Sequence, residues 1–554
     1  MSKFQKISLI KESRLWKVLM TKSKAISLKK KIETHYDGRE LLCFDNRPND
    51  FLEIFKDVVK RHPNLTALFF KDRAVSYKKL DELSDGFAKG LLKSGLKEKN
   101  ILVINVANNI EFVVALLSSF KIGLIAMPVG HRHKKEELSS LYEDAGVHAV
   151  IFDRETEKEQ PFEENDNSVL FIASFDDTKK TCLRFNELIE TDTKENIIPR
   201  QISEEEPAIL LYTSGTTGRP KGAILTHLGL VHSFLHFQIE LGLKDGECTI
   251  LAVPASHVTG LVAQILTLIG CAGKIVIMEH FEVEEFASVA NKHELTYSIL
   301  VPAMYALLLH RNALVAKDLK SWRIGAFGGA PMPDAVREEL ASKLPFLSLN
   351  NAYGATETTS PTTIIPIDCA DPGDSVGLVV PCGEIRIVDE NNHDVKPGKT
   401  GELWIKGPMV IPGYWKNVKA SQESFDNGYW KSGDIASQDE NGFIRIHDRK
   451  KDMINRGGYK IFSAEIENIL VLMDEIQEAA LVPYPCTILG ERSHAFVFSS
   501  SPTLEPNQIR SRLSEKVADY KVPDKITITK EPLPRNVNGK ITKAPLRDIA
   551  NKEI

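Results

Sequence analysis

Residues 212–222 read YTSGTTGRPKG, placing three glycines, four Ser/Thr hydroxyls and one lysine in eleven positions. Glycine lets a backbone come close to an anion, and hydroxyls with exposed N–H groups can then cradle a phosphate while the lysine adds a point charge. The string is not a Walker A loop, because Gly215 and Gly218 are followed by Arg219-Pro220-Lys221 rather than by GK[ST] at the required spacing. Other candidate groups yield less chemistry. His131 and His133 have no nearby third ligand for a metal. His227, His232 and His236 fall on one predicted helix and read as packing or surface. No GxSxG elbow supports a serine hydrolase. Seven cysteines form no CxxC pair, which fits reduced thiols better than a disulfide framework or a zinc site.

The string at 212–222 resembles the phosphate-binding loop of the adenylate-forming superfamily, which contains acyl-CoA synthetases, firefly luciferase and peptide-synthetase adenylation domains. Further strings follow in that superfamily's order: NAYGATET at 351–358, YWKSGD at 429–434, NRGGYKI at 455–461 and PRNVNGKITK at 534–543. The resemblance covers roughly residues 51–546. It implies that Thr213, Ser214, Gly215, Thr216, Thr217, Gly218 and Lys221 hold the phosphates of ATP. It implies that Gly329, Ala330, Asn351, Ala352, Tyr353 and Gly354 face the nucleotide, with Tyr353 stacked on adenine, and that Ile446 belongs to the same surface. Thr356 would bond the α-phosphate. Glu357, with Thr213, would hold Mg²⁺, and a hard carboxylate oxygen suits that ion. Asp434 would accept from both ribose hydroxyls and Arg449 would contact the same ribose.

The same resemblance makes Lys451 a hinge residue. Gly458, with Gly457 beside it, would admit the pantetheine arm of CoA, and Lys460 would meet the CoA phosphates. Lys540 would bridge substrate carboxylate and α-phosphate, neutralising the charge that develops as phosphorus is attacked. His257, in PASHVTG, would lie beside the acyl carboxylate. The implied catalytic set is therefore Lys540, Thr356 and His257, and the implied reaction is acid, ATP and CoA to acyl-CoA, AMP and pyrophosphate. A luciferase-like oxygenase would share most of these motifs. A non-catalytic nucleotide sensor fits poorly with Lys540, Glu357 and Asp434 all present.

Amino-acid-activating relatives carry an Asp near the position of His257, whereas residues 258–270 contain no acid. Burying an ammonium without a counter-charge is costly, which disfavours an amino-acid substrate. The expected acyl wall of Val258, Thr259, Val301, Ala303, Gly328, Gly329 and Ala330 suits a medium or long fatty acid first, and an aryl or 4-coumarate-type acid second. No carrier module follows Lys540, so the acceptor is expected to be CoA or, as the alternative, a separate acyl carrier protein. A fatty acyl-AMP ligase is the companion alternative.

These side chains need a scaffold that brings distant stretches to one edge. Short apolar runs at 101–107, 124–129, 149–152, 208–212, 274–278, 297–301 and 323–327 read as buried parallel strands, with helical patterns such as 109–123 between most of them. From about 373, alternating strands at 384–388, 402–406 and 443–447 suggest a small antiparallel layer. A charged run, DRKKD, leads to a last unit with helix 464–473, strands 479–483 and 494–499, and helix 507–519. The expected fold is α/β: a large N-terminal domain of parallel α/β sheets plus a small β-barrel layer, and a small mobile α+β C-terminal domain. The expected boundaries are a basic extension at 1–50, the large adenylation domain at 51–448, a hinge at 449–452 and the C-terminal domain at 453–554.

The 554 residues are 42% hydrophobic and 26% charged with a net charge of −5, a soluble composition with no overall nucleic-acid signature. No apolar run reaches the roughly 20 residues that span a bilayer, so cytoplasmic residence is the default. The first 35 residues hold ten Lys/Arg against two Glu. That segment is read as an extension that packs on the body or frays, with contact to an anionic membrane surface as the sharper alternative.

Overall fold

Four- and five-residue apolar runs build the sheets because a strand buried on both faces needs no polar alternation. The structure, a computed structural model, describes residues 29–36, 38–161, 169–177, 182–190, 202–213, 220–367, 369, 373–535 and 541–552. Ile101–Asn105 lies inside a seven-stranded sheet and is buried along its whole length. From one edge the order is Lys221–Thr226, Pro207–Thr213, Ile125–Pro128, Ile101–Asn105, Ala149–Phe152, Leu170–Ala173 and Leu183–Arg184. All neighbours are parallel except the first pair. A second sheet carries Cys248–Leu251, Lys274–Ile277, Thr66–Phe70 and Arg73–Ser76. A third carries Tyr297–Leu300, Ile324–Phe327, Ser348–Ala355, Ser360–Ile364 and Leu378–Val379, its first three strands parallel.

The helix between the first two buried strands runs Ile110–Ile122. It is capped by the Asn109 side chain, which accepts from the Phe112 N–H at 2.8 Å, and it ends at Gly123 with φ 68°. Asn108, just before it, ties the sheets together. Its amide nitrogen donates to Val253 O at 3.1 Å and Met278 O at 3.0 Å, and its amide oxygen accepts from Ala255 N at 2.8 Å.

The antiparallel layer consists of Glu384–Val388, Gly401–Lys406, Phe425–Asp426, Tyr429–Gln438 and Ile444–Arg449. Leu403, Ile405, Ala436 and Ile444 from this layer share one apolar core with the parallel sheets. The C-terminal part has its own cores, one around Ile454, Ile466, Leu481 and Val497 and one around Val482, Phe496 and Leu546. Its sheet joins Tyr459–Ile461, Ile454–Arg456, Gly490–Phe498, Glu478–Cys486 and Lys525–Thr529. The fold is thus mixed α/β with a large N-terminal and a smaller C-terminal domain.

Two C-terminal elements differ from the sequence reading. The strands expected at 479–483 and 494–499 extend to Glu478–Cys486 and Gly490–Phe498, because they form one continuous hairpin ladder. The helix expected over 507–519 stops as Pro506–Ser514. The chain then turns so that Val517 and Tyr520 can pack on the domain core.

The basic segment before residue 50 contributes a hairpin, Lys30–His35 paired with Arg39–Phe44, that sequence alone did not suggest. Leu41, Cys43 and Phe44 are buried. Arg47 binds both carboxylate oxygens of Glu33 at 2.9 and 2.7 Å and reaches Glu204 at 2.7 Å. Glu33, His35 and Cys43 bring potential ligand atoms within 4.8 Å of one another. Arg47 already satisfies the carboxylate, however, and burial pushes the Cys43 thiol up to about 12. The cluster is an ion-pair staple rather than a metal site. Residues 1–28 lie outside the described residues. Among the described residues no helix is long and apolar enough to cross a membrane.

Candidate active site

Three parallel strands, Tyr297–Leu300, Ile324–Phe327 and Ser348–Ala355, end at one edge, where ligands of open α/β sheets gather. Val301, Gly328, Gly329 and Ala330 follow the first two of those ends, and Thr356 and Glu357 follow the third. Asn351 and Ala352 lie within the third strand, Asn351 opposite Phe327. The close packing of this edge requires glycine at two points. A Cβ on Gly328 would lie 2.3 Å from the Ala352 carbonyl oxygen, and one on Gly354 would lie 1.5 Å from that of Ser360. After Ala355 the chain makes the short 3-10 turn Thr356–Thr358, and Thr359 and Ser360 take φ of 49° and 98° to reverse into the next strand. Thr356 and Glu357 are therefore presented at the apex of a tight reversal.

A second wall comes from the antiparallel pair Pro207–Thr213 and Lys221–Thr226. Thr213 faces Lys221 across the mouth of the glycine-rich loop. Ser214, Gly215, Thr216, Thr217 and Gly218 lie outside the described residues. The Thr213 hydroxyl donates to Glu357 Oε1 at 3.4 Å, and the Tyr414 hydroxyl donates to the same oxygen at 3.0 Å. Lys221 Nζ stands 5.2 Å from the centre of the Tyr414 ring. Burial raises the Glu357 carboxyl above its ordinary range, against the hydrogen bond from Tyr414 and the charge of Arg449. One partly buried carboxylate beside a hydroxyl is a hard-oxygen set of the kind Mg²⁺ takes, since that ion binds few protein ligands and completes its shell with phosphates and water.

The antiparallel layer forms the third wall. Asp434 and Arg449 are cross-strand partners, with Arg449 Nε 2.9 Å from Asp434 Oδ1. Tyr353 donates its hydroxyl to the other oxygen of Asp434. Burial pushes the Tyr353 phenol well above its usual range, and the neighbouring Asp434 charge adds to this. Burial works against the charge on Arg449, but the surrounding groups Asp434, Tyr353, Glu357 and Asp452 together outweigh it and hold the guanidinium above its ordinary value. Ile446, opposite Ala436, is half-buried two rungs away.

The remaining candidates are placed as follows. His257 opens the helical stretch after Cys248–Leu251, and its Nδ1 accepts from the Thr259 N–H at 3.2 Å. The following segment, Thr259–Leu266, is a π-helix, a form that often marks functional sites. Lys451 is exposed in the turn after Ile444–Arg449, and its carbonyl accepts from Arg547 at 3.3 Å. Gly457 and Gly458 have φ of 60° and 90°, and Lys460 makes a 3.1 Å ion pair with Glu390 of the antiparallel layer. Lys540 lies outside the described residues. Among the described residues that flank it, Thr542 N donates to Pro534 O at 2.7 Å.

Two residues of this region escaped the sequence reading. Tyr414 carries only a weak local signal, an aromatic after Pro412-Gly413. Asn108 is an Asn directly after an apolar run and before a helix start.

A family model described as AMP-binding enzyme matches residues 55–415, and one described as AMP-binding enzyme C-terminal domain matches residues 465–540. The chain belongs to the AMP-binding enzyme family. This AMP-binding enzyme is 28% identical over 542 residues to a long-chain-fatty-acid–CoA ligase of Salmonella typhimurium, covering 92% of this chain and 96% of that one. It is 30% identical over 498 residues to an indoleacetate–CoA ligase of Aromatoleum aromaticum, covering 89% and 96%. Among solved structures, the O-succinylbenzoate–CoA synthetase of Bacillus subtilis in complex with ATP and magnesium ion superposes with a TM-score of 0.78 at 27% identity, covering 89% of this chain and 98% of that one.

Proposed function

We propose that this AMP-binding enzyme activates an apolar carboxylic acid, a medium or long fatty acid before an aryl acid, by adenylation and then transfers the acyl group to CoA. The observation that carries the reading is the convergence of Thr213, Lys221, Tyr353, Glu357, Asp434 and Arg449 from three separate sheets onto one edge. Both curated relatives described above are named as CoA ligases, one for a long-chain fatty acid and one for indoleacetate.

In the first half-reaction Asp434 and Arg449 hold the ribose and Tyr353 offers its ring to adenine. Lys221 and the loop hydroxyls take the phosphates. Glu357, with Thr213 beside it, would hold Mg²⁺, which supplies positive charge where pyrophosphate departs. The substrate carboxylate oxygen attacks the α-phosphorus, the bond to the pyrophosphate oxygen breaks, and an acyl-AMP anhydride forms. Thr356 donates to the α-phosphate and Lys540 balances the added negative charge. In the second half-reaction the CoA thiolate attacks the acyl carbonyl and AMP leaves with the bonding electrons. Gly458, at the end of a turn with no side chain, gives the pantetheine arm its passage, and the C-terminal domain turns about Lys451 to bring it there.

Pyrophosphate release from MgATP, measured across acids from acetate to oleate plus aromatic acids with and without CoA, tests this reading. Multiple turnovers only with CoA, peaking at one acid, are expected. A single burst that CoA does not relieve would move the acceptor to a carrier protein. Lys540→Ala is expected to abolish pyrophosphate release while sparing thioester formation from supplied acyl-AMP.

A further inference from the structure

Tyr414 sits where the two phosphate-facing charges of the site meet, and none of the adenylation steps above uses it. The stretch 413–415 runs beside Lys221–Thr226 as an extra rung: Ile224 N donates to Gly413 O at 3.4 Å, Trp415 N donates to Gly222 O at 2.8 Å, and Ala223 bridges Tyr414. This pairing fixes the Tyr414 backbone to the stem of the glycine-rich loop. Its side chain is 7% exposed. From that fixed base the hydroxyl donates to Glu357 Oε1 at 3.0 Å, while the ring face lies 5.2 Å from Lys221 Nζ.

We infer that Tyr414 is a positioning residue that sets the carboxylate of Glu357 and the ammonium of Lys221 in one geometry, so that the metal ion and the phosphate charge of ATP are engaged together. The inference rests on the reading of Glu357 and Lys221 given above. A hydrogen bond to a charged group fixes which carboxylate oxygen remains open, and a cation over an aromatic face is held without neutralising its charge.

Calorimetric binding of ATP to the full chain, once in excess EDTA and once with Mg²⁺, separates the two contacts. Tyr414→Phe keeps the ring and removes the hydroxyl. Metal-free ATP affinity is expected to stay within about twofold of the parent, while the gain in affinity on adding Mg²⁺ shrinks about tenfold. Tyr414→Leu removes the ring as well, and metal-free ATP affinity is then expected to fall about fivefold further. A Tyr414→Phe protein with an unchanged Mg²⁺ gain overturns the inference. So does one in which melting temperature and both affinities drop together, since that is a packing defect. Glu357→Gln run alongside distinguishes the two levels. If it too keeps the Mg²⁺ gain, the reading of Glu357 as the metal carboxylate fails; if it loses the gain and Tyr414→Phe does not, only the role of Tyr414 fails.

Discussion

Asp434 and Arg449 face each other across one rung of an antiparallel ladder, with Nε to Oδ1 at 2.9 Å, and the second oxygen of Asp434 takes the hydroxyl of Tyr353. The ring proposed for adenine and the carboxylate proposed for ribose are thus one hydrogen-bonded unit. Asp434→Asn preserves the shape and removes the charge. Charge-assisted hydrogen bonds contribute about 1.5–3 kcal/mol, so KM for ATP is expected to rise roughly 10- to 100-fold while kcat falls less. Steady-state kinetics against ATP reads the split, and an unchanged KM would remove Asp434 from nucleotide binding.

Gly354 is held by geometry rather than by flexibility. A Cβ there would stand 1.5 Å from the backbone oxygen of Ser360, and backbone cannot swing aside as a side chain tip can. Gly354→Ala is expected to destabilise by about 3 kcal/mol or more, as a forced overpacking does. It is also expected to cut adenylation sharply, because Thr356 and Glu357 lie on the reversal that must move. Thermal unfolding together with pyrophosphate release checks this. A variant that loses activity at an unaltered melting temperature would show that the tight approach is not structural.

Much of the scaffold was legible in the sequence because burial on both faces leaves unbroken apolar runs. The run at 149–152 is the strand Ala149–Phe152, and Asn109 with Gly123 brackets the helix Ile110–Ile122 as cap residues should. The hairpin Lys30–Phe44 was not legible, since its alternating charges mimic a solvated tail. Glu33 and His35 are drawn inward because Arg47 and the distant Glu205 supply their partners, with Glu204 closing on Arg47 from the other side. Within the site, motif strings named residues, but the junctions between them are tertiary. Nothing local to Tyr414 shows that it meets Glu357 57 positions earlier. Lys460, assigned by resemblance to CoA, is engaged here with Glu390, a pairing set by how the two domains meet.

The Glu33 staple gives the folded protein a defined acid sensitivity. Bidentate hydrogen bonding by Arg47 lowers the Glu33 carboxyl to about 2, whereas an unfolded Glu titrates near pH 4.3. Between roughly pH 5 and pH 2 the unfolded chain binds a proton that the folded chain does not, so stability falls as pH falls. Above that window the contribution is fully present, at most about 3 kcal/mol. Glu33→Gln is therefore expected to lower the urea midpoint at pH 7 and to converge on the parent toward pH 2–3. A constant difference across that range would show that Glu33 contributes through packing and not through its charge.

Gly458 offers a test of the second half-reaction that the present arrangement itself makes clean. It has φ of 90° and a Cβ built on it would meet nothing within 4 Å. Its N–H donates to Asn455 Oδ1 at 3.1 Å, which already shapes the turn. A side chain at this position therefore costs only the left-handed backbone strain, about 1–2 kcal/mol, and has room to stand. Gly458→Leu is expected to leave the single burst of pyrophosphate and acyl-AMP formation within about threefold of the parent. If the proposed pantetheine route past Gly458 holds, acyl-CoA formation should fall at least 100-fold, because the isobutyl group would obstruct it. Rapid-quench measurement of acyl-AMP and acyl-CoA in one reaction resolves the two steps. Equal loss in both would assign the defect to folding of the turn, and equal retention would place the thiol entrance elsewhere on the molecule.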